Sequence, residues 1–187
     1  MFLPAFGNRP TRLVGRREFL EGFAEGLSQP TGHPGRATLL IGQRGMGKTA
    51  LLLEFAQAAQ ERGFVTARAA AGGELLEDLI GGIQQLGARF VKPRSKVAGA
   101  SAGVLGSGVG LTFTAEADAR LSFLNKLALL SEAIDKRGHG TVLLVDEVQG
   151  ATPAMRVLTT AYQHLVGEGQ GLKQSRLGLV GCGVAGV

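Results

Sequence analysis

Lys48, Thr49, Asp146 and Glu147 are the residues of this chain whose types and settings could do chemistry together. Lys48 and Thr49 end the run Gly42-Gln43-Arg44-Gly45-Met46-Gly47-Lys48-Thr49, which has the spacing G-x-x-x-x-G-K-[ST] of a loop that holds nucleotide phosphates. Glycines in such a loop accept positive φ and let the main chain approach a ligand closely. Successive amide N–H groups then point inward, and the N-terminus of the following helix adds positive potential where phosphate oxygens would lie. In that setting Lys48 reaches the β- and γ-phosphates and the Thr49 hydroxyl ligates Mg²⁺, with Ala50 next in the chain. Asp146 and Glu147 follow an aliphatic run. Asp146 suits the Mg²⁺ shell, and Glu147 suits orienting and deprotonating a water aimed at the γ-phosphate. Taken alone, the acidic pair would read as the cap of a following helix.

Both groups need rigid mounts. Residues 37–41 read as a buried strand running into the loop, and Leu52, Phe55, Ala56 and Ala59 mark one face of a helix that starts at Thr49. Residues 141–145, Thr-Val-Leu-Leu-Val, read as a central parallel strand buried on both faces. The two motifs thus set their polar groups at strand carboxyl ends, where open α/β sheets bind ligands. Further strands are expected at 64–69 and 177–180, and helices at 17–27, 74–90, 117–136 and 153–166. Gly63 is placed to end the loop helix, and Gly81-Gly82 should weaken the middle of the helix at 74–90. The order implies an α/β fold, a three-layer αβα core with a parallel sheet. Residues 97–115 carry no charge and have glycines at 99, 103, 106, 108 and 110. They suit a Gly-rich insertion at 96–115, either in contact with a partner or without chemistry. So much Gly, Ser and Thr argues against a membrane span.

Three stretches resemble the AAA+/STAND branch of P-loop ATPases, particularly the ATPases related to archaeal and bacterial replication initiators. Leu13-Val14-Gly15-Arg16-Arg17-Glu18 resembles the hydrophobic-Gly-Arg-x-x-Glu box of that branch, with the acidic residue one position early. Val145-Asp146-Glu147-Val148-Gln149 resembles its Asp-Glu-x-Gln form of Walker B. Residues 177–183, Leu-Gly-Leu-Val-Gly-Cys-Gly, resemble the following strand and its glycine turn. The resemblance implies ATP or ADP with Mg²⁺, held by Val14, Gly15, Arg16, Gly42, Gln43, Arg44, Gly45, Met46, Gly47, Lys48, Thr49 and Ala50. Backbone at Val14 and Gly15 would contact adenine, and Arg16 would lie near the nucleotide or in a solvated basic turn. Lys48 and Glu147 would be catalytic; Thr49 and Asp146 would hold the metal.

The family's sheet order would be fifth-first-fourth-third-second. The fifth strand, the helical lid with its sensor arginine and the usual place for an arginine finger are not found in the sequence. The expectation is therefore a piece of a longer protein or a truncated open reading frame, with a protein partner or self-association acting through missing C-terminal parts. Its organisation would be a lead-in at 1–36 with the Gly-Arg box and an incomplete core at 37–187. Where the family has a polar sensor, this chain reads Gly181-Cys182-Gly183. Cys182 either stands near the γ-phosphate or is a small buried residue without a role. Gln149 either reads the γ-phosphate or is an exposed glutamine at a helix start. The implied function is Mg²⁺-dependent ATP hydrolysis coupled to conformational change; the alternative is a nucleotide-dependent switch or scaffold with negligible hydrolysis.

Composition narrows the rest. With 187 residues, 44% hydrophobic and 19% charged, the chain can bury one core and is not disordered. The net charge of +5 could attract nucleic acid. However, Arg9, Arg12, Arg16, Arg17, Arg36 and Arg44 are scattered rather than striped, and one tyrosine without tryptophan gives little to stack on bases. Nucleic-acid binding is thus possible but unsupported. A lone cysteine forms no intrachain disulfide and fits the cytoplasm. Residues 1–10 have no signal-peptide pattern. His33, His139 and His164 have no zinc spacing and read as surface or loop residues.

Overall fold

Parallel strands cannot be joined by tight turns, so each must be reached by a crossover that also covers a face of the sheet. The computed structural model describes residues 17–89, 121–150, 152–167 and 176–184. Its strands are β1 (Ala37–Gly42), β2 (Phe64–Ala70), β3 (Gly140–Asp146) and β4 (Leu177–Val184), all parallel in the order β1-β4-β3-β2. The helices are α1 (Arg17–Ser28), α2 (Lys48–Glu61), α3 (Leu75–Gly87), α4 (Phe123–Asp135) and α5 (Thr152–Val166). This is the expected α/β fold, with the first, fourth, third and second strands adjacent as the family order requires.

Strand side chains alternate between two faces. Val142, Leu144, Val180 and Cys182 point to one, where they meet Leu52 and Phe55 of α2 and Phe23 and Leu27 of α1. Phe23 and Phe55 pack edge to face at 4.7 Å. Leu143, Val145 and Leu177 point to the other, under the apolar stripes of α3, α4 and α5. β3 is buried on both faces from Gly140 to Val145, as its unbroken aliphatic run demands. β1 differs. Leu39 and Ile41, on the face away from α2, are 59% and 63% exposed.

Several elements depart from the sequence expectations. α4 starts at Phe123 rather than at 117, because Ser122 is extended and its hydroxyl accepts the Asn125 N–H as an N-cap. Residues 117–120 lie outside the described residues. α3 ends at Gly87 rather than at 90. Its Gly82 is a packing device as well as a weak point: a Cβ there would come within 3.2 Å of the Ala67 Cβ on β2. Gly63, at φ 79, does end α2 by donating to Gln60 O. β4 runs on to Val184, so Gly181-Cys182-Gly183 is strand and not turn.

Arg36 is the largest departure. It is 2% exposed instead of belonging to a scattered basic surface. Its Nη2 donates to Leu27 O at 2.8 Å and its Nε to Gln29 O at 3.2 Å, which satisfies carbonyls at the end of α1. The guanidinium also lies over the Phe64 ring at 5.9 Å. A buried charge is tolerated only with such partners. The Gly-rich insertion at 96–115, and Val14, Gly15 and Arg16, lie outside the described residues.

Phe55→Ala should cost about 3–5 kcal/mol in urea unfolding, whereas Phe19→Ala should change stability by less than about 0.5 kcal/mol. The contrast follows from Phe55 being fully buried and Phe19 being 59% exposed. Equal losses would contradict the layer assignment.

Candidate functional site

The carboxyl ends of β1 and β3 build the two halves of the site. β1 ends at Gly42, and the loop then needs left-handed backbone at Gly45 (φ 83) and Gly47 (φ 74). Those values favour glycine and explain two of the loop's three glycines. Gly47 is the N-cap of α2 and has no side chain to cap the first turn. The first N–H groups of the helix therefore face outward beside the loop, with the positive end of the helix dipole behind them. Gln43, Arg44, Gly45, Met46 and Thr49 are exposed, and Ala50 is half-buried. The Lys48 ammonium folds back on the loop and donates to Gly42 O and Gln43 O, each at 2.8 Å.

β3 ends at Asp146, half-buried, followed by the exposed Glu147. Glu147 has φ 54, the one positive φ of a non-glycine residue among the described residues. Such a conformation costs on the order of 1–3 kcal/mol and persists only where its surroundings hold it. The restraints are visible. The Glu147 N–H donates to Asp146 Oδ1 at 2.9 Å, and its carbonyl accepts from the Gly150 N–H at 2.9 Å. The Val148–Gly150 3₁₀ turn then folds across the end of β4. There Gln149 Oε1 accepts from the Val184 N–H at 3.2 Å, so this exposed side chain is tied to β4. A Cβ on Gly183 would sit 2.9 Å from both Val148 Cγ2 and Gln149 Oε1, and one on Gly181 would sit 3.0 Å from Val148 Cγ1.

β4 lies between the two halves. Leu40 pairs with Cys182 on one side and Val145 with Gly181 on the other. The phosphate-type loop and Asp146 are therefore two strand spacings apart, roughly 10 Å. Lys48, Thr49, Asp146 and Glu147 all come to this one edge of the sheet, as their motifs require. Sequence reasoning missed what joins them. Cys182 is fully buried and its Sγ–H donates to Asp146 Oδ1 at 2.8 Å. The period-two recurrence of Gly181 and Gly183 was the available signal, because it fits a strand face that something else covers.

Burial pushes the Cys182 thiol up to about 12, and the hydrogen bond to Asp146 and its negative charge add to the shift. The Glu147 N–H and the Lys48 ammonium pull weakly the other way. The thiol is thus a protonated donor at neutral pH. Its folded value lies above the unfolded one, so its contribution is complete below pH 9 and is lost between pH 9 and about 12. The urea stability of the wild type should therefore fall faster than that of Cys182→Ala over this range, by up to about 1.4 kcal/mol per pH unit. Parallel curves would contradict the buried donor.

Among the described residues no three His, Cys, Asp or Glu side chains cluster as a metal cage. No described helix is long and apolar enough to cross a membrane. Against known proteins, the family described as "AAA ATPase domain" matches residues 12–173. No curated protein matches the chain. Cdc6p from Pyrobaculum aerophilum is similar in structure at a TM-score of 0.58 and 22% identity, covering 96% of this chain and 41% of that one. The Aeropyrum pernix ORC2 protein in ADPNP-ADP complexes is similar at 0.56 and 16%, covering 96% and 44%. Its ADP form gives 0.50 and 15%. At these identities the likeness is one of fold, and the chain spans about two fifths of the length of these proteins (41% and 44%). With the family matched over most of its length and the fold shared with Cdc6 and ORC proteins, the chain belongs to the AAA ATPase domain family as an ATP-binding P-loop domain.

Proposed function

We propose that this domain hydrolyses ATP in an Mg²⁺-dependent reaction and that the change of nucleotide state drives a conformational change. The observation that carries the reading is the shared sheet edge, with Lys48 and Thr49 at the exit of β1 and Asp146 and Glu147 at the exit of β3. The donor set suits Mg²⁺. Thr49 offers a hydroxyl, and the hydrogen bonds to the Asp146 carboxylate from Glu147 N–H and Cys182 Sγ–H both fall on Oδ1, which leaves Oδ2 for a hard cation. When bound, Mg²⁺ would neutralise charge on the β- and γ-phosphate oxygens.

In the proposed reaction, the N–H groups of Gln43, Arg44, Gly45, Met46, Gly47 and the start of α2 bind phosphate oxygens. The Lys48 ammonium exchanges the Gly42 and Gln43 carbonyls for the β- and γ-phosphates. Thr49 and Asp146 hold the metal. The exposed Glu147 carboxylate takes a proton from water as the water oxygen bonds to the γ-phosphorus. The bond from that phosphorus to the β–γ bridging oxygen breaks, and ADP and orthophosphate leave. Main chain at Val14 and Gly15 is proposed to contact adenine and Arg16 the nucleotide. Domain limits of 1–36 and 37–187, with an insertion at 96–115, a protein partner or self-association, and a cytoplasmic location complete the proposal.

A switch with negligible hydrolysis is the second reading. It is favoured by the end of β4, which offers no hydroxyl or amide side chain at Gly181-Cys182-Gly183 and whose thiol is engaged by Asp146.

Labelled ATP separates the readings. Lys48→Ala should weaken Mg-ATP binding at least about tenfold, or roughly 1.4 kcal/mol. Glu147→Gln should keep binding and lower phosphate release at least about a hundredfold. Nucleotide binding by wild type and Glu147→Gln, with phosphate release at background in both, would leave the switch. No binding by wild type would remove both readings.

A further inference from the structure

We propose that Cys182 is a positioning residue: its thiol anchors one oxygen of Asp146 so that the other is presented to the magnesium shell. The inference rests on the reading of Asp146 as an Mg²⁺ ligand. The Cys182 Sγ–H and the Glu147 N–H both donate to Oδ1, at 2.8 and 2.9 Å. A carboxylate held at one oxygen by two donors, a thiol of β4 and an N–H of the turn after β3, cannot swing about its side-chain torsions, so Oδ2 keeps one direction.

The anchor is itself immobile. Cys182 lies inside β4, paired with β1 at Leu40, and has no exposed surface. Its side chain belongs to the apolar cluster of Leu52, Phe55 and Leu144. Gly181 and Gly183, its neighbours on the strand, present the opposite face. Their missing side chains let Val148 settle against β4. One strand therefore supplies the donor to the carboxylate and the seat for the turn that follows it. Outer partners of this kind orient a metal ligand without touching the metal, and their loss commonly weakens metal affinity by about 10–100-fold.

The test uses a fluorescent ADP analogue titrated with Mg²⁺ against wild type, Cys182→Ala and Cys182→Ser. Alanine removes the donor; serine restores one in nearly the same place. The Mg²⁺ concentration for half-maximal tightening of ADP should rise roughly tenfold in Cys182→Ala and return to within about threefold in Cys182→Ser. Binding in EDTA should change less than about twofold, since a ligand of the metal is affected and not the loop. An unchanged Mg²⁺ requirement in Cys182→Ala overturns the inference, as does an equal loss with and without Mg²⁺, which would mark a packing defect. If wild type binds ADP but gains nothing from Mg²⁺, the metal reading of Asp146 falls and the inference with it. If wild type responds and Cys182→Ala responds identically, the inference alone falls.

A readout without nucleotide is also available, because Cys182 is the one thiol in the chain. Its S–H stretching band should lie at lower frequency in wild type than in Asp146→Ala. A band at the same frequency in both overturns the anchor.

Discussion

The placement of β4 between β1 and β3 is the constraint on which the site depends. Parallel pairing fixes the two motif-bearing strands at two spacings, roughly 10 Å, and no side-chain adjustment can change that. In the proposed reaction a polyphosphate cradled at β1 would extend across the end of β4 to meet groups on β3. Whatever β4 carries at its carboxyl end lies beneath that span. This chain has placed there a strand of minimal bulk, Gly181-Cys182-Gly183, with a thiol on one face and hydrogen atoms on the other. The small side chains answer two demands at once. On the α2 face they leave Asp146 a partner of suitable length, and on the opposite face they admit Val148.

The opposite end of the sheet is held differently. Arg36 precedes β1 and ties off the last carbonyls of α1, while its guanidinium and that of Arg176 both lie over the Phe64 ring, at 5.9 and 5.2 Å. Arg176 in turn donates through its N–H to the Asp135 carboxylate and through Nη1 to Gly138 O, which joins the start of β4 to the α4–β3 connection. Two guanidiniums so close repel one another, and with desolvation first this holds the Arg36 value below its usual one. The aromatic face and the carbonyl oxygens offset that repulsion. The amino ends of all four strands are thereby tied together.

Much of this was legible in the sequence, and the reasons are particular. The β3 run 141–145 is β-branched or aliphatic at every position, and only a doubly covered strand tolerates that. The loop spacing fixes a strand before it and a helix after it, because the chemistry of the glycines requires both. The four-strand order followed from the family resemblance and not from periodicity. What was not legible depends on partners distant in the chain. Arg36 looks like any surface arginine until α1 is seen to end beside it. The Gly-Cys-Gly run reads as a turn from local propensity, since glycine is depleted in strands. Only the turn from Val148 to Gly150, more than 30 residues earlier, makes glycine the residue that fits. Gln149 is likewise explained by the Val184 N–H, a contact with no sequence signature.

The two halves of the site also differ in how firmly they are set. Lys48 is bonded to two main-chain carbonyls of its own loop, in an exposed or half-buried setting. Exchanging those neutral acceptors for charged phosphate oxygens strengthens each hydrogen bond, because charge-assisted bonds are about twice as strong as neutral ones. That half can therefore rearrange downhill when a ligand arrives. Asp146 has no comparable freedom. Its Oδ1 is bonded to a buried thiol and to the N–H of a residue already in a left-handed conformation. Freeing that oxygen would break both bonds, so the rotation is uphill on two counts. In the proposed reaction a nucleotide would thus meet one half that moves to it and another that waits in place. The rigid half is the one proposed to aim a carboxylate at a small cation with strict coordination geometry, and that division of labour would follow from where β4 runs.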